Sequence, residues 1–400
     1  MKNKNFQLYL WSDIIAQIAG VAAALAVPIV IYRLTGDLAL TGLLGTISGI
    51  AGLLGGIIGG SLADMYNRKP LIIATNIIAG ALSLAMAWMI YTNTFHTAGF
   101  GLLLGTMMFS YIIGQSCADP SLPQLVNDEE LAAAQGIIQA RMQFAGLIGP
   151  LVGGVLLDIH MAVPFVAVSI GNFLTAIFYL FITARLNPEK RATTKILRTT
   201  SEGISIVARS PLLRNLIVMQ TLANCAINGS LFIVVLALEA GNYPGWVIGI
   251  ARTAIGIIGI FGALATGFFQ KRFSYAVLQI GTSMWVATTI AIAALLNPTL
   301  WMVIPLGISV LTAPAAGAVT YAKIHQHVAE ETFGRVTNLQ VTIVTSISSM
   351  WSTPLGAIAS RFSLAAGMWA SALAGMLSVI PSLLLVRHIK RAESQPSTTA

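Results

Sequence analysis

Long uncharged apolar stretches alternate along the chain with short polar junctions. Counting only Asp, Glu, Lys and Arg, the charge-free runs cover residues 14–32, 38–63, 70–118, 142–157, 159–184, 215–238, 253–270, 273–322, 336–360 and 362–386. A helix that crosses a bilayer needs about 20 apolar residues. The runs 70–118 and 273–322 are each long enough for two spans, the first breaking near Asn93-Thr94-Phe95-His96 and the second at Asn297-Pro298. The runs 142–157 and 253–270 are short because Arg141 and Arg252 fall inside their helices. The pattern predicts an all-α integral membrane protein with twelve transmembrane helices. The basic start Met1-Lys2-Asn3-Lys4 has the look of a signal peptide. No small-x-small cleavage site follows in the right place and the apolar stretch is too long, so it is read as the first span, retained.

Composition agrees: 56% of the residues are hydrophobic and 9% charged, against about a quarter charged in soluble domains. Such a chain cannot cover a globule with ionised surface, which excludes soluble enzymes, nucleic-acid modules and secreted scaffolds. Cys117 and Cys225 lie in apolar runs and suggest neither a disulfide framework nor a thiolate metal site. The net charge of +8 is an orientation signal. Of the 22 basic residues, all but Arg33, Arg141, Arg252 and Arg361 fall in the tails or in junctions on one side of the predicted topology. The positive-inside bias places both termini in the cytoplasm and leaves no nucleic-acid footprint.

The longest polar segment, Asn187 to Ser210, divides the chain. The expected organisation is an N-terminal six-helix bundle over 1–186, a cytoplasmic linker with an amphipathic helix over 187–210, a C-terminal six-helix bundle over 211–391 and a disordered tail over 392–400. The two bundles look related. Asn67-Arg68-Lys69 corresponds to Gln270-Lys271-Arg272, Gly149-Pro150-Leu151 to Thr353-Pro354-Leu355, and the acidic turn Asp128-Glu129-Glu130 to Glu330-Glu331, all at nearly one spacing. Parallel six-helix repeats are a transporter architecture.

The second span ends Gly60-Ser61-Leu62-Ala63-Asp64-Met65-Tyr66-Asn67-Arg68-Lys69-Pro70. This resembles the signature loop of the major facilitator superfamily, G-x-L-A-D-x-x-G-R-[KR], and departs from it at Asn67, where Gly is usual, and at Met65, where Arg is common. Asn tolerates a left-handed turn; the missing Arg thins the charge network. Asp64 at a helix end suits the positive N-terminus of another helix, here that of the eleventh span, and Arg68 and Lys69 are expected to pair with acids after the fourth span. The plainer alternative is a positive-inside loop. In the fifth span, Gly136, Ala145, Gly149-Pro150 and Gly153-Gly154 resemble the pattern carried by the superfamily's exporters, with Ala145 in place of the middle Gly. Small residues and a proline bend suit close packing, expected here against Gly249, Gly256, Gly259 and Gly262 of the eighth span; generic bundle packing is the alternative. Leu122-Pro123-Gln124-Leu125-Val126 and Gly334-Arg335-Val336 resemble the macrolide-efflux and siderophore (enterobactin)-exporter branch of the drug:proton antiporters.

The resemblance implies two pseudo-symmetric six-helix bundles that alternate access around a midplane cavity. It further implies a monomer in the bacterial cytoplasmic membrane exporting an amphipathic small molecule, a drug or a siderophore, in exchange for protons. An importer or facilitator of the same fold, and a non-transporting receptor or lipid-handling protein, are the alternatives.

Ionisable residues inside a membrane are costly and by default functional candidates. Asp13 on the first span, Asp119 on the fourth and Arg141 on the fifth are the proton-coupling candidates. Either Asp13 or Asp119 binds the proton while Arg141 tunes it, or Asp119 and Arg141 form a permanent ion pair holding two helices. Polar residues recurring every four positions mark a wet face: Asp13 and Gln17; Tyr111, Gln115 and Asp119; Gln220, Asn224 and Asn228. Apart from Asp13 and Asp119, these residues, with Arg252 and Trp351, are the substrate-cavity candidates. Arg252 either meets an anionic cargo group or pairs with Glu239, and Trp351 either stacks a flat cargo or packs. The five histidines fall at or near helix ends and are given no metal or proton role. No G-x-x-x-x-G-K-[ST] or H-E-x-x-H occurs, so no cofactor, metal or enzymatic activity is expected, and an ion gradient is the expected energy source.

Overall fold

A computed structural model describes residues 3–187, 205, 207–208, 210–327 and 330–394. The amphipathic helix expected in the linker lies largely outside the described residues, as does the tail from 395 onward.

The first unit comprises Met1–Thr193 with Asn242–Thr253. Its helices are α1 (Lys4–Thr35), α2 (Leu38–Met65), α3 (Arg68–Tyr91), α4 (Thr97–Ala118), α5 (Asp128–Ile159) and α6 (Val163–Phe181), with a 3₁₀ turn over Asp119–Gln124. Local chemistry fixes their ends. Gly36, at φ 66°, closes α1 in the left-handed conformation that glycine adopts without strain. The next residue, Asp37, caps α2 by accepting from the Ala39 and Leu40 amides. Asn67 caps α3, through its side chain and the Lys69 amide.

The second unit comprises Thr194–Gly241 with Ala254–Ala400. It holds α7 (Pro211–Ala240), most of α8 (Gly245–Leu264), α9 (Thr266–Arg272), α10 (Tyr275–Leu295), α11 (Val303–Ser309), α12 (Ala313–His327), α13 (Glu330–Met350), α14 (Ser352–Arg361), α15 (Leu364–Leu377) and α16 (Val379–Ser394). The first turns of α8 belong to the first unit. Pairings repeat between units: α1 packs on α5 and α6, and α3 on α6; α7 packs on α13 and α15, and α10 on α15. The tenth and twelfth expected spans are each made of two consecutive helices, α11–α12 and α15–α16. Among the described residues eleven helical stretches are long and apolar enough to cross a bilayer. The expected eleventh span is folded as α13 and α14, and polar residues such as Gln340, Thr345, Ser346 and Ser349 lower its hydropathy.

Glycines set the position of α1. A Cβ on Gly149 would lie 2.6 Å from Val21 Cβ, one on Gly153 2.5 Å from the Ala22 carbonyl oxygen, and one on Gly171 2.9 Å from Ala16 Cα. Backbone-close packing thus grips α1 from α5 on one side and α6 on the other, and Thr175 Oγ1 of α6 donates to the Ser12 carbonyl at 2.8 Å. This corrects the expectation that the fifth-span glycines serve the eighth span. Gly149 and Gly153 face α1, and Gly154 alone of the three meets α8, at Gly245. The expected glycine seam of α8 also divides: Gly249 lies on Pro150 and Leu151, whereas Gly259 and Gly262 face Val310 and Leu311. The reason is azimuthal. Positions 149 and 153 share a face at a spacing of four, and 154 is rotated about 100° from it.

Adding one methyl group at two glycines of α5 tests the grip. Gly153→Ala should overpack α5 on α1 and cost about 1–3 kcal/mol, lowering the thermal midpoint in detergent. Gly136→Ala, where nothing lies within 4 Å, should leave it unchanged or raise it.

Candidate functional site

The grip on α1 fixes Asp13, which sits between Tyr9 and Gln17 at helical spacing. Asp13 and Arg141 are 6% and 5% exposed, and Arg141 Nη2 donates to Asp13 Oδ2 in a direct ion pair. Gln115 Nε2 of α4 donates to the other carboxylate oxygen at 3.1 Å. Both oxygens therefore have a partner, supplied from two other helices. The guanidinium carbon lies 5.7 Å from the Tyr9 ring centroid, within range of a cation–π contact. Tyr9 in turn packs edge-on against Tyr179, centroids 6.5 Å apart. Arg141 is less completely matched: its Nε and Nη1 are buried without a hydrogen-bond partner, as is Gln17 Oε1 one turn along α1.

The ion pair joins α1 and α5, not α4 and α5. Asp119 caps the C-terminus of α4, opens the 3₁₀ turn ahead of Pro120 and is exposed, so the permanent Asp119–Arg141 bond weighed from the sequence is absent. Asp119 and Tyr111 still lie within electrostatic reach of Asp13 and Arg141. The sequence-predicted residues Asp13, Tyr111, Gln115, Asp119 and Arg141 thus gather in one region. Tyr9 was missed, although its position four residues before Asp13 places it on the same face.

At the α2–α3 junction Arg68 is 7% exposed. Its Nε donates to the Ala63 carbonyl at 3.0 Å and its Nη1 to the Pro120 carbonyl at 2.7 Å. Lys69 Nζ donates to the carbonyls of Leu180 and Ile182 at 3.2 and 2.7 Å. The two bases therefore bind the carbonyl-rich ends of α2, α4 and α6, where helix dipoles favour cations; the side chain of Asp128, one of the acids expected to pair with them, lies outside the described residues. Asp64 is exposed, and Gly60 has open space around it. At the far end of α5, Asp158 accepts from the Gly245 and Trp246 amides at 2.7 and 2.8 Å, capping α8, and Thr253 Oγ1 donates to the Leu147 carbonyl at 2.9 Å. Arg252, on the same part of α8, is half-buried.

In the second unit Gln220 and Asn224 line a cavity of about 360 Å³, while Asn228, one turn further, is exposed and outside its lining. Trp351 sits at the break between α13 and α14. Its indole packs beside Gly229, where a Cβ would lie 2.9 Å from Trp351 Cδ1, and its Nε1 is buried without a partner. Among the described residues no group of three or more His, Cys, Asp or Glu is arranged to hold a metal.

The sequence matches the Major Facilitator Superfamily over residues 12–353, and the chain belongs to that family. It is 23% identical over 379 residues to the enterobactin exporter EntS of Shigella boydii serotype 4 (strain Sb227), covering 94% of this chain and 90% of the relative. To the enterobactin exporter EntS of Escherichia coli O9:H4 (strain HS) it is 24% identical over 382 residues with the same coverage. In three dimensions it is similar to a bacterial homologue of the human lysosomal transporter Spinster in an inward-facing, unoccupied conformation. There the TM-score is 0.79 and the identity 15%, over 99% of this chain and 100% of the other. It is also similar to a bacterial homologue of the iron transporter ferroportin in an inward-facing state, with a TM-score of 0.76 and 12% identity over 96% and 99%. At these identities the structural likeness shows the fold alone, an all-helical multi-pass bundle; the family match makes the chain a membrane transporter.

Removing one partner of a buried ion pair strands the other charge and costs about 3–5 kcal/mol, whereas replacing both is far milder. Arg141→Met alone should lower the thermal midpoint in detergent sharply, and Asp13→Asn with Arg141→Met should recover most of the loss. A double mutant no more stable than Arg141→Met would show that the two residues are energetically independent.

Proposed function

We propose that the protein is a proton-coupled exporter of an amphipathic small molecule, a siderophore or a hydrophobic drug, working by alternating access as a monomer. The observation that carries this is the buried Asp13–Arg141 pair, whose guanidinium retains two nitrogens, Nε and Nη1, without a hydrogen-bond partner. A carboxylate's affinity for a proton depends on its burial and on neighbouring charge. A conformational change that separates Asp13 from Arg141 alters that affinity and so ties proton exchange to the transport cycle. Asp119, within electrostatic reach, is a second acid through which protons pass. Export is supported by the likeness to the enterobactin exporter EntS over nearly the whole chain and by the fifth-span glycines. The remaining proposed cavity residues, Gln17, Tyr111, Gln115, Gln220, Asn224, Asn228, Arg252 and Trp351, contact cargo.

The working unit is two six-helix domains, 1–186 and 211–391, joined by the linker 187–210 and followed by the tail 392–400. Residues Gly60, Asp64, Arg68 and Lys69 form the gating loop. Both termini face the cytoplasm of a bacterial cell, as the one-sided distribution of Lys and Arg supports.

Proteoliposomes with an imposed pH gradient test the coupling, using enterobactin and erythromycin as cargoes. Wild type should show gradient-driven flux of one of them; Asp13→Asn and Arg141→Ala should reduce it at least tenfold, and Asp119→Asn less. Retention of gradient-driven flux in all three variants would remove these residues from coupling. Accumulation of cargo inside right-side-out vesicles would mark an importer, and no flux in wild type a receptor or lipid-handling protein. Orientation is checked separately: a cysteine placed at Ser394 should react with an impermeant maleimide in inside-out but not right-side-out vesicles.

A further inference from the structure

The cavity of the second unit differs in chemistry from the Asp13 site. It is enclosed by α7, α10, α12 and α13, with Ser378 between α15 and α16 closing one side. Its volume of about 360 Å³ is many times the roughly 30 Å³ share of one water and falls within the roughly 300–1,000 Å³ of small-molecule pockets. Among the described residues that line it there is no Asp, Glu, Lys, Arg or His. Four amides converge on it instead: Gln220 and Asn224, one turn apart on α7, Gln279 on α10 and Gln340 on α13.

These amides are braced. Gln340 Nε2 donates to Gln220 Oε1 at 2.6 Å, Thr320 Oγ1 donates to Gln279 Oε1 at 2.6 Å, and Asn224 Nδ2 donates to the Gln220 carbonyl at 2.9 Å. Gln279 is held at both ends, its Nε2 donating to Met219 Sδ at 2.8 Å, whereas Gln220, Asn224 and Gln340 are each held at one end. Gln220 keeps its Nε2 as a donor, and Gln340 and Asn224 keep their carbonyl oxygens as acceptors. Polar groups withdrawn from water cost free energy unless they find partners, and a network half-satisfied by the protein suits an occupant that supplies the rest. That occupant must carry both donors and acceptors, because both are on offer. It needs no formal charge, because none opposes it. The apolar part of the wall, including Ala316, Val341 and Val344, suits a hydrocarbon or aromatic body behind those groups.

We propose that this cavity is a binding site for an uncharged amide- or hydroxyl-bearing portion of the transported molecule, held by Gln220, Asn224 and Gln340. The assignment rests on the transport function proposed above and adds to it the class of group recognised in the second unit.

Gly317 offers a test that leaves the amides in place. It lines the cavity, and a Cβ built there meets nothing within 4 Å, so Gly317→Leu fills the space without a backbone clash and gains helix propensity. Gly281, on α10 outside the lining and equally open, gives the control Gly281→Leu. The probe is radiolabelled enterobactin, rich in amide and phenolic hydroxyl groups, in equilibrium binding to the purified full-length protein in nanodiscs. Gly317→Leu should raise Kd at least tenfold at an unchanged thermal midpoint, Gln220→Leu should raise it at least tenfold with some loss of stability, and Gly281→Leu should match wild type. Gln220→Glu, which keeps the shape but adds charge, should also weaken binding.

Wild-type affinity in the cavity-filled variant, or no binding to wild type, would overturn the site. The two proposals fail differently. Loss of proton coupling appears as binding without gradient-driven flux, whereas an irrelevant cavity appears as flux and affinity both untouched by Gly317→Leu.

Discussion

Two opposite charges withdrawn from water cost several kcal/mol each unless they meet in good geometry with further hydrogen bonds, and the first unit is arranged to meet that condition at Asp13 and Arg141. One carboxylate oxygen takes the guanidinium and the other the Gln115 amide, so three helices converge on one side chain. Their convergence depends on how closely α1 can lie against its neighbours. The absent Cβ atoms at Gly149, Gly153 and Gly171 allow that approach, and the Thr175–Ser12 bond fixes the rotation of α1 within it. The small-residue pattern of α5 and the buried charges are therefore parts of a single construction.

The compensation at Arg141 is incomplete. A guanidinium presents five donors; Nη2 is spent on Asp13, while Nε and Nη1 are buried with no partner. The Tyr9 ring supplies a diffuse attraction. A site with donors left over can exchange partners, whereas a fully bonded pair resists change. Elsewhere in the first unit Arg68 and Lys69 each bind two carbonyls at helix ends, which ties α2, α4 and α6 together.

The two units share helix pairings yet carry opposite chemistry in their interiors. Where the first unit buries an ion pair, the second surrounds a cavity with amides and hydroxyls. Duplication of a backbone constrains which helices touch. It leaves side chains at matched positions free to diverge, because interior polar groups need partners of any kind and not one particular charge. Coupling and recognition can then reside on different repeats of one architecture.

The apolar spans, their polar junctions and the repeat were legible in the sequence, because the requirement for about 20 apolar residues per crossing acts on each segment separately; the eleventh span alone falls short of it among the described residues. So were Asp13 and Arg141 as buried charges, since an ionised residue stands out in an apolar run; Asp119 proved exposed and Arg68, at a junction, buried. The loop residues at the α2–α3 junction were recognisable from their order alone. What the sequence left open is who meets whom. Arg141 faces Asp13 and not Asp119, Gly149 and Gly153 face α1 and not α8, and Arg68 and Lys69 bind carbonyls at helix ends. Gln279, Thr320 and Gln340 read as isolated polar residues until α10, α12 and α13 bring them to the cavity that Gln220 also lines. Hydropathy is a property of each segment. The azimuth and depth at which one helix meets another are set by the mutual packing of several, and partner choice is decided there.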